Sequence, residues 1–311
     1  MPLHPQVQAM RDRLERDNVP PLYTLSLEQA RAADLASIQA AAGEVEPVAV
    51  VEDLHLTGPG GRLPIRVYRP VGDIPQAVLI YFFGGGWTLG TIDTSDAVCR
   101  RLANSAGCLV LAVGYRLAPE HKFPAAVHDC HAATRWVATH AEEIGADRRR
   151  IAVGGDSAGG NLAAVVALLC RDDEDVELAG QLLVYPNTDY ASDTKSLRDN
   201  VDPWLFNKTS VAWYWHHYLP TPEDGLSPLA SPLRAADVSG VPPALVITAE
   251  FDPLRDQAEE YARRLAKANV DVTLTRYDGM VHGFFCMAGE LDAGRLAMDE
   301  AAAHLRGRFF S

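Results

Sequence analysis

The stretch Ile151-Ala-Val-Gly-Gly-Asp-Ser157-Ala-Gly-Gly160-Asn-Leu-Ala163 decides how this chain is read. An apolar run, Ile151 to Val153, leads into Gly155-Asp156-Ser157-Ala158-Gly159, and an Ala/Leu/Val stretch of helical character follows. A strand that turns into a helix at a serine needs glycine two positions to either side, because the turn is too tight for side chains there. Such a turn lifts the hydroxyl clear of the backbone and points it into a cleft. It also sets the amide of Ala158 at the start of a helix, where a developing oxyanion is stabilised. Ser157 is therefore the candidate nucleophile. The five-residue motif carries little weight alone; the strand before it and the helix after it carry the inference.

The same alternation extends in both directions. Val48–Leu56, Leu63–Tyr68 and Ala77–Phe82 are β-branched or aromatic runs bounded by Gly, Pro and Asp. The first two alternate apolar and polar residues in places, as half-exposed antiparallel strands do. Leu109–Val113 then precedes a helical stretch at Ala125–His140, and Ile151–Val153 precedes one at Ala158–Cys170. Gln181–Tyr185 follows, then Ala244–Thr248 before Leu254–Ala268, and Val272–Tyr277 before Asp292–Arg306. Short apolar strands alternating with helices predict an α/β fold with a mostly parallel central sheet flanked by helices. Two segments interrupt the rhythm. Residues 1–45 read as amphipathic helix, with Val7, Met10 and Leu14, then Leu27, Ala30, Leu35 and Ile38, at helical spacing. Residues 187–232 form an insertion rich in aromatics, from Tyr190 through Trp204, Phe206, Trp213, Tyr214 and Trp215 to Tyr218. That cluster reads either as ordinary helix packing or as a lid over an apolar pocket.

A length of 311 residues with 48% hydrophobic and 22% charged residues describes an ordinary globular chain with a sizeable core. The net charge of −13 argues against nucleic acid or an anionic membrane surface as partner. The opening Met1-Pro-Leu-His-Pro-Gln-Val-Gln lacks the basic and apolar regions of a signal peptide, and no run approaches the roughly 18 apolar residues of a membrane span. Five scattered cysteines, Cys99, Cys108, Cys130, Cys170 and Cys286, have no metal-type spacing and read as reduced thiols. The expected location is cytoplasmic.

A serine nucleophile needs a base, and the base needs a group to hold it. Of ten histidines, His282 lies in a loop at the C-terminal end of the strand Val272–Tyr277, the sheet edge where catalytic groups of open α/β folds gather. Asp252 follows the strand Ala244–Thr248 on the same edge, with Glu250 and Asp256 as alternative carboxylates. The order Ser157, Asp252, His282 is that of α/β-hydrolases. His128 and His131 lie one helical turn apart but lack further ligands for a metal, and His216 and His217 adjoin the aromatic insertion. No cofactor or metal is expected. A nucleotide site at Gly154-Gly155…Gly159-Gly160 fails on spacing, with neither G-x-G-x-x-G nor a following Gly-Lys-Ser/Thr. The oxyanion donors are expected on a second loop, Tyr81-Phe-Phe83-Gly84-Gly85-Gly86-Trp87, because consecutive glycines let backbone amides approach a substrate oxygen.

Taken together, Gly84-Gly85-Gly86-Trp87, Tyr115-Arg-Leu-Ala-Pro-Glu120, Phe123-Pro-Ala-Ala126, Gly155-Asp-Ser-Ala-Gly-Gly-Asn161, Asp252-Pro-Leu-Arg-Asp256 and His282-Gly-Phe284 resemble the bacterial hormone-sensitive-lipase-like esterases, also called family IV carboxylesterases. The resemblance runs over nearly the whole chain. It implies an α/β-hydrolase core at 46–186 and 233–311, with a helical cap formed by residues 1–45 and an insertion at 187–232. It also implies hydrolysis of short- to medium-chain acyl esters, with the amides of Gly85, Gly86 and Ala158 as the oxyanion hole, and is compatible with a homodimer. One position departs. The family writes His-Gly-Gly-Gly, and this chain has Phe83 where that histidine belongs. Phe83, Gly84 and Trp87 are then the residues expected to support the loop, with the phenyl ring holding it by packing in place of hydrogen bonds. The departure leaves room for a ligand-binding member such as the plant gibberellin receptors, which share the fold but have lost the catalytic histidine. An arylformamidase or small-amide deacetylase would use the same triad and differ only in its pocket.

Overall fold

The computed structural model describes residues 2–73 and 76–310. Two helices open the chain, α1 (Pro5–Arg16) and α2 (Leu27–Ala42). The start of α2 is fixed by a capping box: the Gln29 amide donates to the Ser26 hydroxyl, and the Ser26 amide donates to the Gln29 side chain. Strands β1 (Val50–Gly58), β2 (Gly61–Arg69), β3 (Gln76–Phe82), β4 (Leu109–Val113), β5 (Ala146–Asp156), β6 (Gly180–Val184), β7 (Ala244–Phe251) and β8 (Val272–Val281) form one sheet in the order β1-β2-β4-β3-β5-β6-β7-β8. The β1–β2 and β2–β4 pairings are antiparallel and all the others parallel, so the expected mostly parallel sheet is present.

The inner parallel strands are apolar on both sides because helices cover both faces, whereas β8 at the edge is largely exposed. Val78 and Ile80 of β3 pack with Leu111, Val153, Leu183 and Val246. On that face lie α4 (Ala125–Thr139), α5 (Ala158–Arg171) and α8 (Arg255–Lys267). Leu79 and Tyr81, one residue out of step, point the other way with Val110, Ala152, Leu182 and Leu245, toward α3 (Asp96–Ala106) and α9 (Asp292–Phe309). The sequence reading leaves 96–106 unassigned. It is an amphipathic helix whose buried stripe is Val98, Cys99, Leu102, Ala103 and Ala106, and it supplies the crossover that parallel β3 and β4 require.

Between β6 and β7 lie α6 (Lys195–Asp199) and α7 (Lys208–Tyr218). Both readings of the aromatic cluster have a counterpart there. Trp215 and Tyr218 pack into the core against Trp87, with ring centroids 4.6 and 4.2 Å away. Trp204, Phe206, Trp213 and Tyr214 instead line a cavity together with residues of α1 and α2. In α1 the expected apolar face is seated: Val7 and Met10 are buried in the second core cluster. In α2 the helix is rotated from the expected stripe. Its buried residues are Ala30, Asp34 and Ala41, while Leu35 and Ile38 are only half-buried.

Among the described residues no helix is long and apolar enough to cross a membrane, and no group of His, Cys, Asp and Glu is arranged to hold a metal ion. All five cysteines are unpaired.

Candidate active site

Strand β5 ends at Asp156 and α5 begins at Ala158, so Ser157 occupies the whole of the turn between them. Its φ of +56° lies in the left-handed region, a strained conformation for a residue with a side chain. Two glycines let the turn close. A Cβ at Gly159 would stand 1.8 Å from the Phe82 carbonyl oxygen, and one at Gly155 2.3 Å from the same atom. The turn is also tied from outside. The Ser157 amide donates to the Val184 carbonyl at 2.9 Å, and the Asn161 side chain donates to the carbonyls of Asn187 and Ala230, both at 2.8 Å.

Three side chains from three strand ends meet here. Ser157 Oγ is 2.8 Å from His282 Nε2, and His282 Nδ1 is 2.7 Å from Asp252 Oδ2. Asp252 follows β7 and His282 follows β8 directly, so sheet geometry brings together residues 125 and 30 positions apart. Asp252 is fully buried, and its second oxygen accepts the Leu254 amide at 2.8 Å. A carboxylate can only accept, so it holds the proton on Nδ1 and leaves the Nε2 lone pair toward the serine. The two alternative carboxylates are engaged elsewhere. Asp256 accepts from the Ser196 amide and from Arg255, and Glu250 accepts the Gly279 amide.

The glycine loop follows β3, beside the turn after β5. Gly85 and Gly86 have φ of +94° and +59°, and Trp87 continues at +57°. A Cβ on Gly86 would stand 2.0 Å from the Tyr214 ring. The loop is held by more than the packing expected of Phe83. That ring is buried and stacked on Tyr115 at 4.3 Å, while the Tyr115 hydroxyl donates to the Phe83 carbonyl at 2.8 Å. Next along, the Gly84 amide donates to Asp156 Oδ1 at 3.1 Å, and the Tyr81 hydroxyl donates to the same oxygen at 2.8 Å. Burial pushes the Asp156 carboxyl above its ordinary range, against the opposing hydrogen bond from Tyr81. Trp87 is buried between Trp215 and Tyr218, and Arg31 of α2 donates to the carbonyls of Thr88 and Ala118 while pairing with Glu120. Sequence reasoning missed Asp156, Tyr81 and Tyr115 as loop supports although all three lie in quoted motifs. The available signal was an acid beside the serine at the buried end of an apolar strand.

Phe206 stacks on the His282 ring, centroids 4.1 Å apart, and Tyr214 lies over Gly86. These two residues also form one wall of a cavity of about 270 Å³ enclosed by α1, α2, α7 and the segments beside them. His131 approaches Asp173 at 3.9 Å, and His217 bonds the Trp213 carbonyl.

Comparison with other proteins identifies the family. A family model described as alpha/beta hydrolase fold matches residues 79–286. The chain belongs to the hormone-sensitive-lipase-like family of α/β-hydrolase-fold esterases. It is 44% identical to the carboxylic ester hydrolase LipN of Mycobacterium tuberculosis over 82% of this chain and 70% of that protein. It is 37% identical to the ethyl acetate hydrolase of Pseudomonas putida over 97% of this chain and 98% of that one. The hyperthermophilic esterase of the archaeon Pyrobaculum calidifontis superposes with a TM-score of 0.94 at 41% identity, covering 99% of both chains. This family member is a carboxylesterase.

Proposed function

We propose that Ser157, His282 and Asp252 perform the ester hydrolysis as a nucleophile, a general base and the group that orients it. The observation that carries this reading is the pair of short contacts, 2.8 Å from Ser157 Oγ to His282 Nε2 and 2.7 Å from His282 Nδ1 to Asp252 Oδ2. Ser157 Oγ attacks the ester carbonyl carbon while Nε2 takes its proton, and Asp252 stabilises the imidazolium that forms. The tetrahedral oxyanion is received by the amides of Gly85, Gly86 and Ala158. Ala158 opens α5, so its amide belongs to the unsatisfied first turn of a helix and to the positive end of its dipole. Collapse of the intermediate passes the proton from Nε2 to the leaving alcohol and leaves an acyl group on Ser157. Water, deprotonated by the same nitrogen, then releases the acid and restores the serine. Loop donors of this kind contribute on the order of 10²–10³ in rate.

The same reading makes residues 1–45 and 187–232 a cap over the core of 46–186 and 233–311. The cavity supports it, because its lining is drawn from both segments, and Phe206 and Tyr214 connect it to His282 and Gly86. A cavity of about 270 Å³ suits a small acyl or alcohol group, so the proposed substrates are short- to medium-chain esters. The test is hydrolysis of p-nitrophenyl esters from acetate to palmitate by the protein and by Ser157→Ala. A rate that peaks at short or medium acyl chains and disappears in the variant is expected. Equal activity in the variant would remove Ser157 from the mechanism, and a peak at palmitate would remove the capped pocket.

A further inference from the structure

The cavity behind Phe206 and Tyr214 is lined by Leu14, Leu22, Trp204 and Trp213, and one carboxyl, Asp34, faces it. Asp34 is on the inward face of α2 with Ala30 and Ala41 and is only 9% exposed. Its Oδ2 is buried without any hydrogen-bond partner. Arg31, one turn earlier on the same helix, cannot serve, since it is committed to Glu120 and to the carbonyls of Thr88 and Ala118. Tyr23 and Tyr214 share with Asp34 the cavity lining, which among the described residues holds no Lys, Arg or His, and Asp156, Tyr115 and Cys286 lie within reach of its charge. Burial holds the Tyr214 and Tyr115 hydroxyls and the Cys286 thiol in their neutral forms. The lining carries hydroxyls on Tyr23, Ser37, Ser210 and Tyr214, but none of them bonds Oδ2. A buried carboxyl oxygen left without a donor weakens the fold, and a donor arriving from outside relieves that cost.

We propose that Asp34 is a specificity-determining residue of the esterase, accepting a hydrogen bond from a hydroxyl or ammonium group at the remote end of the ester. The two aromatic side chains at the cavity wall are the ones that touch the catalytic neighbourhood: Phe206 rests on His282 and Tyr214 lies over Gly86. These two rings stand between the catalytic groups and the cavity, so an ester with its carbonyl at Ser157 would reach Asp34 by passing between them. Their apolar surfaces take the linking methylenes, and Asp34 is the acceptor beyond them. Burial and the like charge of Asp156 raise the Asp34 carboxyl to about 7. The preference for an ammonium over a methyl group accordingly grows between pH 6 and pH 8, as the carboxyl ionises.

The inference rests on the esterase reading of Ser157, and the experiment separates the two. Binding of methyl hexanoate, methyl 6-hydroxyhexanoate and methyl 6-aminohexanoate to Ser157→Ala is measured by calorimetry at pH 6 and pH 8. The acetates of pentan-1-ol, pentane-1,5-diol and 5-aminopentan-1-ol cover the alcohol side. In at least one series a donor-bearing ester should bind about tenfold or more tighter than its alkyl counterpart, as a hydrogen bond to a charged group allows. Adding Asp34→Leu should abolish the preference, and adding the near-isosteric Asp34→Asn should keep the hydroxyl preference and lose the ammonium one. With Ser157 intact the same preference should appear in KM rather than kcat. Thermal unfolding of each variant checks that it is folded. Equal affinity ratios with Asp34, Asn and Leu at this position in both series would overturn the proposal. Selective binding together with no hydrolysis by the intact protein would overturn the catalytic reading and leave the recognition site standing.

Discussion

Tyr115 holds Phe83 twice: its hydroxyl donates to the Phe83 carbonyl at 2.8 Å, and its ring stacks on the Phe83 ring at 4.3 Å. Position 83 carries no imidazole, so the polar anchor of the glycine loop comes from a different strand end. Tyr115 lies just past β4, the neighbour of β3 in the sheet. Removing the hydroxyl with Tyr115→Phe keeps the stack and leaves a buried carbonyl unpaired. The expected result is a loss of about 1–2 kcal/mol in unfolding free energy, with a fall in kcat larger than any change in KM, because the loop it steadies carries the proposed oxyanion donors. Chemical denaturation and steady-state kinetics on p-nitrophenyl acetate measure both, and unchanged kcat with reduced stability would confine Tyr115 to a structural role.

Gly86 has no room for a methyl group. The added carbon would stand 2.0 Å from the Tyr214 ring, on a backbone already at a φ of +59°. Gly86→Ala should lower kcat by about 10²-fold or more through displacement of a proposed oxyanion donor. Pairing it with Tyr214→Ala should recover part of that loss, since the clash disappears while the backbone strain remains. A double variant no faster than Gly86→Ala would show that strain alone governs the position.

Phe206 covers the His282 ring and lines the cavity. Phe206→Ala should shift the acyl-length optimum toward longer chains and reduce kcat/KM for acetate by about tenfold, the scale of a lost apolar contact in a pocket. A chain-length profile identical to that of the parent protein would place the acyl group elsewhere.

Asp34 should leave a mark on stability as well as on binding. Its carboxyl titrates near 7 in the folded protein against an ordinary value of 3.8, chiefly through burial. A raised carboxyl stabilises the fold when protonated, so its contribution is fully present below the unfolded value and is lost as pH climbs through 4 to 7. The full shift sets a ceiling of about 4 kcal/mol, and water entering the cavity brings the expected effect to about 1–3 kcal/mol. Asp34→Asn should therefore be more stable than the parent at pH 8 and lose that advantage near pH 4. Parallel stability–pH curves for the two proteins would show that the carboxyl is paired or solvated at neutral pH.

Much of the fold was legible because its signals are local. Apolar runs such as Ile151–Val153 and Leu109–Val113 can only be strands buried on both faces, and those strands stand where they were expected. The sequence reading leaves α3 unassigned although its stripe of Val98, Cys99, Leu102, Ala103 and Ala106 has helical spacing, with Arg100, Arg101 and Asn104 on the other face. The rotation of α2 is what spacing does not give. Spacing puts Leu27, Ala30, Leu35 and Ile38 on one stripe, but the face that docks is Ala30, Asp34 and Ala41, where Arg31 reaches the Thr88 and Ala118 carbonyls.

The sequence by itself determined the strand-turn-helix at Ser157, the glycine loop at 84–86 and the chain order of serine, acid and histidine. These follow from short-range sterics: turns that exclude side chains and strands that need apolar residues on both faces. Only the tertiary structure decided that Asp252, rather than Glu250 or Asp256, meets His282. It alone supplied Asp156 and Tyr115 as anchors for a loop that lacks its histidine, and turned Asp34 into the cavity without a partner. Each depends on which groups from distant strands and helices approach within a hydrogen-bond length, and spacing along a chain carries no record of that.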